Sequence, residues 1–147
     1  MIILVLCVTG FVYIFHAYTT TGPCGIYQQT TVVIGEISVV AQIADTACKQ
    51  ELGLSGRSGL AEGMGMLFVF GDEGAHGFWM KDMHFPIDMV WIDRALLVTG
   101  VEKNVQPASY PLVYGKNYNS AYVLELPAGF ADAHDIMQGI HVEIIKQ

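Results

Sequence analysis

The chain has 147 residues, 52% of them hydrophobic and 14% charged, and its 14 acidic against 7 basic side chains give a formal net charge of −7. That balance opposes nonspecific attraction to nucleic acid and to anionic lipid surfaces, so no nucleic-acid partner is expected. The length suits one hydrophobic core.

Residues 1–18, MIILVLCVTGFVYIFHAY, are an almost unbroken apolar run, and no Asp, Glu, Lys or Arg precedes Glu36. A full membrane span needs about 20 such residues, so the run reads as a signal-anchor or signal peptide. A cleaved signal carries a basic leader and a small-x-small site, whereas His16-Ala17-Tyr18 is a poor one. An uncleaved anchor is therefore expected, with the domain on the outer side of the membrane; cleavage would make the protein secreted. Residues 19–30 read as a polar tether containing Gly22, Pro23 and Gly25, and residues 31–147 as one β-rich domain.

The three cysteines are Cys7, Cys24 and Cys48. None forms a CxxC pair or shows metal-ligand spacing, which leaves zinc and redox readings without support. Cys24 and Cys48 could join in an oxidising compartment. A flexible tether supplies no fixed geometry, so two unpaired thiols are the expectation.

Residues 31–34 and 37–43 are rich in Val and Ile and flank Gly35-Glu36, which predicts a hairpin. Asp45 or Thr46 can cap a short helix through Ala47, Cys48, Glu51 and Leu52, with Gly53 as its stop. Residues 64–70 are apolar on both alternating faces, as in a central strand covered on both sides. Gly71-Asp72-Glu73-Gly74 should then turn the chain into a strand over 76–80. In residues 87–92, Ile87, Met89 and Trp91 share one face, and Asp88, Val90 and Ile92 the other. Strands over 96–102, 121–126 and 141–145 and a helical turn near 130–134 complete the set. The stretch 103–120, with Pro107 and Pro111, is too long for a hairpin loop and has the length of functional or mobile loops. The fold expected is mainly β, a single compact β-sandwich or partly closed barrel with one or two short helices.

The segments GMLFVF, FWMK, FPIDMVWID and YVLELPAGF, in this order and spacing, resemble the family known as domain of unknown function 192, a group of small prokaryotic proteins. GLSGR at 53–57 resembles the family's GLM-x-R segment, and LELPAG at 124–129 its LE-x-x-AG segment. Asp82-Met83 stands where the family usually has Asn-Thr, and Gly139-Ile140 where Gly-Asp is common, so neither a hydroxyl at the first site nor a turn carboxylate at the second is retained. The resemblance implies a compact β-rich, envelope-associated domain and supplies no catalytic residue.

Candidate chemistry starts with Arg57, one of two arginines, and Asp88, a carboxylate on an apolar strand face that is costly without a partner. The two are expected to pair, as a buried clamp or as a ligand grip. Trp79, Lys81 and Asp82 lie in an aromatic and methionine-rich turn where a tryptophan could stack on a sugar or an apolar ligand. Trp79 itself is expected to fill the core, with Gly77 leaving space on its side of the sheet. Glu125 is read as a rim charge or a partner of Lys81. Motifs of serine hydrolases, zinc proteases, phosphate-binding loops and dinucleotide-binding folds are absent.

Arg57, Trp79, Lys81, Asp82, Asp88 and Glu125 are therefore candidate ligand-binding residues of a non-catalytic envelope domain that takes a small ligand, a glycan or a partner. No catalytic residue, metal or cofactor is assigned. One alternative is an envelope hydrolase using Asp88 and a second carboxylate, Asp82 or Glu125. Another is cuprous-ion binding by Met64, Met66, Met80, Met83, His76 and His84.

Overall fold

The computed structural model describes residues 21–145 and, ahead of them, only the paired two-residue strands Cys7–Val8 and Phe11–Val12. The anchor expected over residues 1–18 otherwise lies outside the described residues. Among the described residues no helix is long and apolar enough to cross a membrane.

Seven strands form one sheet: β1 (Gln29–Ile34), β2 (Ile37–Ala44), β3 (Met64–Ala75), β4 (Ile87–Ile92), β5 (Val98–Val105), β6 (Asn119–Pro127) and β7 (Val142–Ile145). Their order is β7-β1-β2-β3-β6-β4-β5. Neighbours are antiparallel except β2 and β3, which run parallel and are connected through the short helix α1 (Ala47–Leu52). A second short helix, α2 (Phe130–Ala133), follows β6.

The outermost strands of this order meet at one end. Val98 donates its N–H to the Ile140 carbonyl at 2.9 Å, Val142 to that of Leu96 at 2.8 Å, and Leu97 bridges His141. The sheet is thus a curled half-barrel, and the sandwich expectation is corrected: the strands needed for a second layer are paired into the same sheet. Inside the curl pack Val32, Leu67, Val90, Ile92, Leu124 and Val142, with Ala131 and Ile136 from the region of α2. A second core lies on the other face, where Met66, Phe68, Met89, Trp91 and Val123 are covered by Leu54, Met80 and Met83. All six residues of β4 are buried because both faces are covered.

Two predicted elements differ. Gly71–Gly74 does not turn the chain: β3 continues to Ala75, and Gly74 and Ala75 pair with Ser120 and Asn119 of β6. The residues that looked like a turn are absorbed as a bulge, where the register jumps between Ser120 and Tyr122. The segment after β3 is therefore no strand, and only Phe78 bridges to Tyr114, through bonds of 3.0 and 2.8 Å. β5 begins at Val98 instead of 96 because Leu96, at φ 63°, still belongs to the turn closed by its N–H to the Asp93 carbonyl.

The long connection after β5 packs back on the sheet. It contains a 3-10 turn at Pro107–Ser109, and Gly115 lies flat on the indole of Trp91, whose Nε1 donates to the His76 carbonyl at 2.8 Å. A side chain at 115 would occupy the ring's place.

Candidate ligand-binding groove

The site begins with a row of residues across the outer face of the sheet. Gln42 on β2 lies opposite Met66 on β3, Met66 opposite Glu125 on β6, and Glu125 opposite Met89 on β4. Paired residues share a face, so the Glu125 side chain stands between two methionines, and the residue is only 4% exposed. Its Oε2 is buried and has no hydrogen-bond partner among the described residues. Burial pushes its pKa up to about 8, against a smaller opposing pull from the Arg57 charge. The carboxyl is therefore largely protonated at neutral pH.

Arg57 is held beside this row. Its Nη1 donates to Oε1 of Gln42 at 2.8 Å, and its Cζ lies 5.6 Å from the ring centre of Tyr27. Lys49, tied to Asp45 at 2.9 Å, approaches the same ring at 5.3 Å. The Tyr27 hydroxyl, like Oε2 of Glu125, is buried without a partner among the described residues.

Helix α1 and the turn after it build one wall. Thr46 accepts from the Lys49 N–H at 3.4 Å, and Gly53, at φ 50°, returns its N–H to the Lys49 carbonyl and ends the helix against Phe68. Ser55 then donates to the Lys81 carbonyl at 2.8 Å, and the Gly56 N–H to that of Asp82 at 2.9 Å. These two bonds clamp the chain after α1 to the turn that carries Trp79. Between them runs an inner cleft of about 130 Å³ that includes Leu54, Phe68, Phe78 and Glu125 among its walls. An outer hollow of about 550 Å³ is bordered by Cys24, Cys48, Lys81 and Asp82. The two adjoin across Glu51, Leu52, Ser55 and Trp79 and together make up the groove.

Trp79 is 50% exposed, edge-on to Tyr110 at 5.9 Å, with the Lys81 ammonium 6.0 Å from its ring centre. The core position expected for Trp79 is corrected. Gly77 leaves no free space, because Val113 from the long connection occupies it, and Trp79 projects outward.

The expected pairing of Arg57 with Asp88 is also corrected. Asp88 accepts from the backbone N–H groups of Asn104 at 2.7 Å, Gly129 at 3.2 Å and Ala131 at 2.7 Å, and no hydrogen bond or ion pair joins it to Arg57. It fastens the start of α2 and the end of β5 from inside the curl. Glu125 is neither a rim charge nor a partner of Lys81. Four of the six sequence candidates, Trp79, Lys81, Asp82 and Glu125, line the groove; Arg57 stands next to it and Asp88 lies on the opposite face.

Cys24 and Cys48 form a disulfide, with Cα atoms 5.6 Å apart, where unpaired thiols were expected. The tether is not free at that point: Thr21–Gly22 and Gly25–Ile26 pair as a small ribbon around Cys24 and present it to α1. Sequence reasoning missed Tyr27, Gln42 and Tyr110, which lie in the tether, on a strand and in a long connection. The one signal the sequence held for Glu125 is that it shares a strand face with the apolar Val123.

Of the residues considered for copper, Met66, Met80 and Met83 pack in the core beside Phe68 and Trp91, His76 stacks on Phe70 at 3.7 Å, and His84 is exposed. A further hollow of about 810 Å³ opens at the mouth of the half-barrel between Leu67, Val69, Leu96, Tyr122 and Ile144. Among the described residues no buried partnerless polar atom lies in it.

Two solved structures are similar over 80% of this chain. One, from Sinorhizobium meliloti 1021 and described as a proposed transcription regulator, has 28% identity and a TM-score of 0.75, with 95% of its own length covered. The other, a protein of unknown function from Novosphingobium aromaticivorans, has 27% identity and a TM-score of 0.68, with 84% covered. No curated protein matches the chain. Residues 30–144, nearly all of the half-barrel and the groove residues from Ala47 onward, match the family DUF192, described as uncharacterized ACR, COG1430, and the chain belongs to that family.

Proposed function

We propose that the chain is a membrane-anchored or secreted accessory domain that binds a small hydroxyl-rich ligand, of the glycan type, in the groove between Trp79 and Glu125 and performs no chemistry on it. The observation that carries this reading is a buried, partnerless carboxyl at the inner end of a groove whose outer wall is a half-exposed tryptophan. Aromatic faces take the apolar side of a sugar ring, and a few placed polar groups set its orientation. Asp88 gives the hydrolase alternative no support, because its oxygens are committed to three backbone N–H groups on the other face. The net charge of −7 supports a ligand other than nucleic acid, whatever the relative from Sinorhizobium does.

The placement outside the cytoplasm draws support from the apolar N-terminal run and from the Cys24–Cys48 disulfide, since such bonds persist in oxidising compartments. Protease added to intact cells and to spheroplasts tests it; a full-length protein protected in the cytoplasm would refute it.

The binding reading is tested by Trp79→Ala in a screen of neutral oligosaccharides. Because Trp79 is half exposed, the substitution should leave the melting temperature nearly unchanged while abolishing binding. A variant that binds every ligand of the wild type with equal affinity removes Trp79 from the site.

A further inference from the structure

Folded proteins rarely leave a buried polar atom without a partner, and among the described residues Oε2 of Glu125, a residue that lines the inner cleft, is such an atom. Arg57 stands close enough to influence the carboxyl but spends Nη1 on Gln42 and makes no bond to Glu125. We propose that the inner end of the groove is a subsite for a neutral hydroxymethyl arm, whose hydroxyl hydrogen-bonds the Glu125 carboxyl while the sugar ring that bears it rests against Trp79. The inference rests on the groove being the binding site.

Three observations select this chemistry. The inner cleft sets Leu54, Phe68, Phe78 and Met83 around one buried carboxyl, which suits a methylene that carries a single hydroxyl. Arg57 beside the carboxyl disfavours a cationic arm, and Glu51 in the groove wall with Asp82 in the outer hollow disfavours an anionic one. A carboxyl that burial keeps protonated both donates and accepts, and a hydroxyl answers both roles.

The test compares cellotetraose and chitotetraose, whose sugars carry a hydroxymethyl arm, with xylotetraose, whose sugars lack it, by calorimetry on the oxidised protein. The wild type should bind at least one of the first two and prefer it over xylotetraose at least about tenfold. Glu125→Gln keeps a donor and an acceptor and should stay within about threefold of the wild type. Glu125→Leu should lose at least about tenfold in affinity, the consequence of an unanswered ligand hydroxyl. Its melting temperature should be equal or higher, because a buried partnerless group has gone, so misfolding would not explain the loss. Equal affinity of Glu125→Leu and wild type, with binding abolished by Trp79→Ala, would overturn the subsite and leave the groove standing. No binding of any of the three by the wild type would overturn both.

Discussion

Asp88 and Glu125 lie on the adjacent strands β4 and β6 and point to opposite faces of the sheet: Asp88 pairs with Leu126, and Glu125 with Met89. Two buried carboxyls one register step apart thus have different fates. Asp88 is met by three backbone N–H groups inside the curl, and Glu125 by a cleft and an arginine that does not bond it.

Asp88 should therefore matter for stability and not for binding. Asp88→Ala leaves the N–H groups of Asn104, Gly129 and Ala131 without their acceptor inside the fold. Buried unsatisfied donors cost about 1–3 kcal/mol each before relaxation, and a loss of about 3–5 kcal/mol is expected from the urea midpoint. An unchanged midpoint would show that these bonds hold nothing together.

Glu125 should make stability fall with rising pH. A carboxyl whose folded pKa is raised from 4.5 to about 8 holds a proton in the folded state that the unfolded chain releases. Its contribution is fully present below about pH 4.5 and is lost as pH rises through about 8. The span corresponds to about 3–5 kcal/mol. Denaturation of the wild type and Glu125→Gln between pH 5 and 9 reads the difference, and parallel pH profiles would contradict the buried, protonated carboxyl.

Gly115 tests the packing of the long connection. It sits at φ 79° with the buried indole of Trp91 where a side chain would go. Gly115→Ala should cost about 2–4 kcal/mol, from overpacking together with the left-handed backbone. Gly59 meets nothing within 4 Å, so Gly59→Ala is the matched control, expected within about 1 kcal/mol of wild type. Equal thermal stability of the two variants would show that the connection is not packed on Trp91.

Local chemistry was legible in the sequence. Gly35-Glu36 turns a hairpin, Thr46 and Gly53 bound α1, and the alternation of β4 separates Met89 and Trp91 from Asp88 and Val90, because each depends on neighbours within a few residues. The order of family segments likewise identified the family without the fold. What alternation cannot give is the identity of the group met on each face. It marked Asp88 as inward, but its partners come from residues 16, 41 and 43 positions away, and they are backbone atoms that no side-chain pattern announces. The same holds for Gly71–Gly74, whose turn-forming composition yields to pairing with β6 some 46 residues later. Trp79 looked like core until a distant Val113 filled the space beside Gly77. Sequence therefore determined the family and most strand faces, which follow from local periodicity. Tertiary structure alone decided the groove, the buried state of Glu125 and the disulfide, because each is made by segments that the chain brings together only on folding.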